Sequence, residues 1–123
     1  MPIADFDQYC QMLTSARAGK YAYPAINVSN LETLTGAIEA FAEAESDGII
    51  QASTGAGQHA SGGLKDMVLG SKILAEAAHQ IADKYNVLIA LHTDHCHPKN
   101  LAPFMDPLIQ ISKDRVAAGQ KPL

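Results

Sequence analysis

The chain lacks the features that mark a secreted, membrane-bound or nucleic-acid-binding protein. It has only two cysteines, Cys10 and Cys96, too few for a disulfide framework. Its longest apolar runs are about five residues, whereas a membrane-spanning helix needs roughly 20. The nine lysines and arginines are scattered and the net charge is −4, so no basic surface for nucleic acid is predicted. We therefore expect reduced cysteines in a cytoplasmic protein, with no nucleic-acid or membrane partner.

The start of the chain also lacks a basic segment followed by a long apolar one, so no signal peptide is predicted. What the chain does contain is an alternation of short and long apolar segments. The short ones predict strands at 21–26, 49–52 and 87–91. The longer ones predict helices after the capping residues Asp5 and Asn30, at 71–85, and at 101–118 with a break at Pro107. On the first helix, Phe6, Tyr9, Leu13 and Ala16 share one face.

Strands and helices in this order favour an α/β fold with parallel strands and right-handed crossovers. Three such units fit either a small open sheet or the first part of an eight-stranded barrel. A complete barrel takes about 250 residues, so 123 residues supply only about three of its strands. We predict that residues 1–123 are the N-terminal portion of one incomplete barrel domain. The helix before the first strand would then cover the bottom of the barrel.

The most informative segment follows the third predicted strand. Residues 91–97 read Leu-His-Thr-Asp-His-Cys-His and bring three imidazoles, a carboxylate and a thiol together. These side chains bind divalent transition metals, and parallel α/β proteins carry their chemistry at the carboxyl ends of strands. His95 is the best candidate for a metal ligand, and Asp94 for a general acid or base. His97 fits a surface residue better, and Cys96 a small buried side chain.

The orientation of these side chains depends on where the strand ends. If it continues, alternation places His92 and Asp94 on one face, and His95 and His97 on the other. If it ends near Leu91, the loop can orient each residue individually. A catalytic zinc usually has three protein ligands, and this segment is the one convincing ligand region. The remaining ligands are therefore expected outside this chain.

A second informative segment is the glycine-rich stretch 53–63. Its small residues would let backbone amides approach a phosphate, although a flexible surface loop fits the pattern equally well. It matches neither a P-loop nor a dinucleotide-binding turn. Ser53, at the end of the second strand, is the residue most expected to contact substrate. Asn27 occupies the equivalent place after the first strand, where a plain loop role fits its spacing as well.

Three segments together resemble the class II (zinc-dependent) fructose-bisphosphate aldolases. They are Tyr-Pro-Ala-Ile-Asn at 23–27, Ser-Asp-Gly-Ile-Ile-Gln-Ala-Ser-Thr-Gly at 46–55, and Ala-Leu-His-Thr-Asp-His-Cys at 90–96. The resemblance implies a TIM (β/α)8 barrel about three times longer than this chain, which supplies its first three βα units. It also implies reversible cleavage of fructose 1,6-bisphosphate to dihydroxyacetone phosphate and glyceraldehyde 3-phosphate, in glycolysis and gluconeogenesis.

The resemblance implies roles for individual residues. Asp94 matches the family's catalytic acid/base, and His95 matches one zinc ligand. Ser53 matches a residue that contacts the aldehyde half of the substrate, and Asn27 lies in a substrate-pocket segment. The implied cofactor is Zn2+ or another divalent metal, which polarises the ketone oxygen of the substrate. The implied partners are a sugar phosphate and, in the full-length form, further copies in a dimer or tetramer.

The match to the family is incomplete. Residues 54–57 depart from the family's usual paired glycines, and its two other zinc histidines have no counterpart here. We therefore expect the chain alone to be inactive. Two other functions stay open: a related ketose-bisphosphate aldolase of the tagatose type, and a noncatalytic module that binds metal through His92, His95 and His97.

Overall fold

A computed structural model describes residues 2–123 of the chain. The helices are α1 (Phe6–Gly19), α2 (Leu31–Glu43), α3 (Thr54–Ala60), α4 (Met67–Ala82) and α5 (Asp106–Ala117). The strands are β1 (Ala25–Asn27), β2 (Gly48–Ser53) and β3 (Ile89–Asp94). Two short 3-10 turns (Gly62–Leu64 and Pro98–Asn100) and a π-helical turn (Leu101–Met105) complete the regular structure. None of the helices in the part of the chain described is long and apolar enough to cross a membrane.

The three strands form one parallel sheet in the order β1-β2-β3. Each strand is followed by a helix, as the alternation in the sequence predicts, so the predicted α/β fold is confirmed. The register pairs Asn27 with Gln51, Gln51 with His92, and Ser53 with Asp94. Because the strands are parallel, their carboxyl ends meet at the same edge of the sheet. The candidate residues at the ends of the three strands, Asn27, Ser53 and Asp94, are thereby brought close together.

Helices α2 and α4 cover one face of the sheet, which we call the outer face. Ile38 of α2 and Ala78 of α4 are completely buried there and pack with Ile50 and Ile89 of the strands. Leu34 and Phe41 are also buried, at the helical spacing expected from the sequence. Removing this apolar surface from water is the main source of stability for the sheet.

Helix α1 covers the amino half of the opposite face, which we call the inner face. Asp5 caps this helix as expected, in a capping box completed by Gln8. The predicted face is only partly buried: Ala16 is buried and Tyr9 packs against the sheet, whereas Phe6 is 76% exposed and Leu13 46% exposed. Met12 is buried as well, in a cluster with Ile49 and Ala90 near the amino ends of β2 and β3. Contact with the sheet therefore buries one side of the predicted apolar face and leaves Phe6 and Leu13 in solvent.

The glycine-rich stretch is helical rather than a loop, because it forms α3 and a 3-10 turn. The reason is its contact with α4. A Cβ at Gly57 would collide with the Met67 carbonyl, and a Cβ at Gly70 would collide with the Gly57 carbonyl. The small residues thus allow two helix backbones to touch, a role distinct from phosphate binding. Helix α4 also begins four residues earlier than predicted, because Asp66 accepts hydrogen bonds from Val68 and Leu69.

Further boundaries differ from prediction. The first strand, predicted at 21–26, is confined to Ala25–Asn27. Strand β3 continues past Leu91 to Asp94, held in register by β2. The last predicted helix is divided into the π-helical turn and α5, with Pro107 in the first turn of α5. Proline is tolerated in a first turn because the amide it lacks has no partner there.

Candidate functional site

The inner face of the sheet is arranged in rows that run across the three strands. Side chains alternate along each strand, so every second residue of a strand points to this face, as do its register partners on the neighbouring strands. We name the rows the apolar row, the polar row and the tip row, in order toward the carboxyl edge. Their members are, respectively, Ala25, Ile49 and Ala90; Asn27, Gln51 and His92; Ser53 and Asp94.

A chain of hydrogen bonds connects the polar row to the tip row. The side-chain Nε2 of Gln51 donates to Asn27 Oδ1 at 2.8 Å, and Asn27 Nδ2 donates to Asp94 Oδ2 at 2.9 Å. The second bond passes across β2 and joins the outer strands of the sheet. It fixes one oxygen of the carboxylate, and bonds to a charged acceptor are among the stronger ones. Asp94 is therefore held in one orientation with its second oxygen still available.

That second oxygen faces the next residue along the chain. His95 Nε2 lies 3.6 Å from Asp94 Oδ1, although successive residues of a strand should point to opposite faces. The backbone explains the difference, since His95 has φ 46°, in the left-handed region. This one residue ends the alternation. The strand continues to Asp94, and the residue after it is oriented individually, so the carboxylate of Asp94 and the imidazole of His95 lie side by side. The imidazole is 92% exposed, whereas the Asp94 side chain is 22% exposed.

Ser53 ends β2 beside Asp94 in the register of the sheet. Its Oγ accepts a hydrogen bond from the amide of Ala56 at 3.1 Å and thereby caps α3. A hydroxyl that accepts a bond still has a proton to donate. Ser53 can therefore cap the helix and donate to a group bound at the tip row.

His92 lies deeper on the inner face and is hydrogen-bonded to α1. Its Nε2 is 3.0 Å from the hydroxyl of Tyr9, and the two rings meet edge to face at 84°. Burial of the imidazole lowers the pKa of His92 below its ordinary value, so the neutral form is favoured. Tyr9 and Gln51 were not identified from the sequence. Gln51 could have been, because it precedes Ser53 by two residues on a strand; nothing in the spacing marks Tyr9.

The other two candidates in the segment face different partners. His97 is exposed, as expected, and its Nδ1 accepts from the amide of Lys99 at 3.2 Å. Cys96, expected to be buried, is only partly so. A cavity of about 670 Å3 lies between α4, α5 and the outer face; its lining includes Gln51 and His92 of the polar row but neither Asp94 nor Ser53 of the tip row. We place the site at the tip row because the polar groups converge there, and the cavity is lined mainly by apolar side chains.

The chemistry of these donors fits part of a metal site. His95 offers an exposed imidazole with a carboxylate oxygen beside it, and both atoms are ligands that zinc accepts. Within residues 2–123, no group of three or more His, Cys, Asp or Glu side chains is arranged to hold a metal ion.

Comparisons with known proteins identify the family. Residues 7–115 match the family model described as fructose-bisphosphate aldolase class-II. The chain is 54% identical to the fructose-bisphosphate aldolase of Streptomyces coelicolor and 52% identical to that of Mycobacterium tuberculosis, and it is covered in full by both. It spans 36% of the length of each of these relatives.

The fold agrees with this match. The crystal structure of the Campylobacter jejuni fructose-bisphosphate aldolase superposes with a TM-score of 0.85 at 32% identity, over 91% of this chain and 33% of that one. The three βα units and the helix before them therefore belong to the fold of that enzyme, a TIM barrel. The predicted resemblance is confirmed: this chain belongs to the class II fructose-bisphosphate aldolase family.

Proposed function

We propose that this chain supplies the catalytic carboxylate and one metal ligand of a class II aldolase. The reaction is the reversible cleavage of fructose 1,6-bisphosphate to dihydroxyacetone phosphate and glyceraldehyde 3-phosphate. The observation that carries the proposal is that the two carboxylate oxygens of Asp94 have different neighbours: Oδ2 accepts a hydrogen bond from Asn27, and Oδ1 lies beside His95. In this proposal residues 1–123 form the N-terminal portion of a single barrel domain and are inactive alone.

Asp94 acts as the acid/base at its free oxygen. In the cleavage direction it takes the proton from the substrate hydroxyl that becomes the aldehyde. The carbon–carbon bond then breaks, and its electron pair passes to the carbon beside the ketone. In the condensation direction the carboxyl group returns this proton to the aldehyde oxygen. General acid–base catalysis requires this kind of fixed orientation, which the hydrogen bond from Asn27 provides.

His95 would be one ligand of a divalent metal, Zn2+ in this proposal. When bound, such a cation polarises the ketone oxygen of the substrate. The imidazole of His95 is exposed at the strand tip, so it could bind the metal together with ligands contributed from beyond residue 123. Its neighbour Asp94 then stands next to the reacting carbons, where a proton must be moved.

Ser53 and Asn27 are proposed to contact the sugar phosphate. Ser53 retains a donor proton while it caps α3, and it lies beside Asp94 in the register, which suits the aldehyde half of the substrate. Asn27 is exposed and already donates to Asp94, so a substrate held by Asn27 would lie within reach of the carboxylate. The homo-oligomeric state and the cytoplasmic location stay predictions.

A chimera tests this proposal. Our chain would replace the matching segment of the S. coelicolor aldolase, to which it is 54% identical. We expect the chimera to cleave fructose 1,6-bisphosphate in a metal-dependent manner, with chelation abolishing the activity and Zn2+ restoring it. An inactive chimera that is folded and binds zinc would contradict the proposal. Preferential cleavage of tagatose 1,6-bisphosphate would instead identify the related aldolase.

The noncatalytic module is tested on the chain itself by zinc titration. If His95 is one ligand of an incomplete site, the chain binds Zn2+ weakly and His95→Ala weakens it further. The matched control is His59→Ala, which removes an exposed imidazole on α3. Micromolar binding that survives the loss of His95 would favour a separate metal-binding module.

A further inference from the structure

The pair formed by Tyr9 and His92 joins α1 to the polar row of the inner face. The two residues are 83 positions apart in the sequence, and they share a hydrogen bond of 3.0 Å and a ring contact with centroids 5.3 Å apart. We propose that Tyr9 is a positioning residue, which acts through His92 and Gln51 on the bonds that orient Asp94. This inference rests on the proposed function, because it concerns the same carboxylate.

The argument starts from the position of His92 beside Gln51. The two are register partners on neighbouring strands, which lie about 4.8 Å apart, so their side chains are lateral neighbours on one face. Gln51 donates to Asn27, which in turn donates to Asp94. A shift of the His92 ring therefore changes the space open to Gln51, and Gln51 sets the orientation of the Asn27 amide.

Tyr9 restricts the His92 ring in two ways at once. The hydrogen bond fixes the position of Nε2, and the edge-to-face contact at 84° fixes the plane of the ring. Tyr9 is itself packed beside the apolar cluster of Met12, Ile49 and Ala90. Because Tyr9 is held by this packed cluster, it holds His92 of the polar row in a defined position.

The same bond also separates the roles of the histidines. Nε2 of His92 is engaged with Tyr9, whereas the ring of His95 is 92% exposed and lies beside Asp94. A ligand must offer a free nitrogen lone pair, so His92 is withheld from a metal through that nitrogen. Its place is in the floor of the site, below the tip row.

The experiment compares Tyr9→Phe with Tyr21→Phe in the 123-residue chain by NMR. Tyr21 is a matched control because its hydroxyl is 3.3 Å from that of Tyr23 and their rings meet at 89°, away from the polar row. The signals followed are the imidazole nitrogens of His92 and the side-chain amide protons of Asn27 and Gln51. Amide spectra of both variants establish that they are folded.

We expect Tyr9→Phe to change the tautomer pattern of His92 and to accelerate exchange of the Asn27 side-chain amide about three- to tenfold, the effect of one weakened hydrogen bond. Tyr21→Phe should change neither signal. A His92 signal that changes while those of Asn27 and Gln51 stay as in the wild type would overturn the proposal. So would a His92 signal that does not change at all.

A kinetic measurement on the chimera separates this inference from the proposed function. There, Tyr9→Phe should lower kcat about three- to tenfold and change KM by less, since Ser53 still binds the substrate but the carboxylate is less well oriented. A rise in KM alone would contradict a positioning role. If the chimera has no activity, the proposed function fails, whereas the NMR signals still decide whether Tyr9 positions the polar row.

Discussion

The two halves of the inner face belong to the same three strands and yet differ in every physical respect. At the amino half, Ile49 is 8% exposed and Ala90 is 3% exposed, under the cover of α1. At the carboxyl half, two residues further along each strand, the side chains are polar, hydrogen-bonded and more open to solvent. The alternation of a strand selects the face, but the position along the strand decides between stability and chemistry.

Asp94→Asn in the chimera should sharpen this comparison most. Asparagine keeps the size of the side chain but cannot take up a proton, so we expect activity to fall about 10²- to 10⁴-fold. That factor corresponds to about 3–5 kcal/mol in the barrier. Thermal unfolding should change little, because the carboxyl half contributes little buried surface. Asp83→Asn, an exposed residue after α4, is the control; retention of a tenth of the activity in the Asp94 variant would refute the assignment.

Ile49→Ala examines the opposite half. Deleting this buried side chain leaves a cavity under Met12, and we expect a loss of about 2–5 kcal/mol in the free energy of unfolding. Urea denaturation of the chain measures the effect. Ile26→Ala on the neighbouring strand is the matched control, because Ile26 is 41% exposed and should cost much less. Equal losses in the two variants would show that the cover provided by α1 adds no stability at Ile49.

His92 lies at the boundary of the two halves and makes stability depend on pH. Its pKa is lowered in the folded state by burial, so the unfolded chain binds the proton more readily. Above the unfolded-state pKa, which is near 6.5, His92 is neutral in both states and the free energy of unfolding is at its full value. As the pH falls through the unfolded-state pKa toward the lower folded-state pKa, the unfolded chain takes up the proton first, and the free energy of unfolding decreases. Urea midpoints at about pH 7.5 and 5.5 should therefore differ less for His92→Phe than for the wild type. His59→Asn, on the exposed side of α3, should leave the difference unchanged.

Ser53→Ala should have the smallest effect. It removes the cap of α3, which is expected to cost about 1 kcal/mol of stability. In the chimera it should also raise KM, since the substrate loses a donor. Ser53→Asn retains a capping oxygen, so it should recover most of the stability without the original hydroxyl. If Ser53→Ala were neutral in both measurements, neither role of this hydroxyl would hold.

The sequence predicts the parts of this molecule that depend on local pattern. Asp94 and His95 are located by the apolar run before them, and the caps at Asp5 and Asn30 by their side chains. What it does not predict depends on contacts between distant segments. The bond between Asn27 and Asp94 joins residues 67 positions apart, and the helical form of 54–60 requires the touching backbones of Gly57 and Gly70. Spacing within one element carries no information about either contact.

The left-handed backbone at His95 has a consequence for how such a chain can be altered. A non-glycine residue in this conformation costs of the order of 1–3 kcal/mol, which the rest of the fold must offset. Glycine at this position would relieve the cost, so His95→Gly should raise the unfolding temperature while it removes the imidazole. A laboratory selection for heat resistance alone would discard this histidine early. Only a selection that also demands the metal-binding role proposed for this imidazole would retain it.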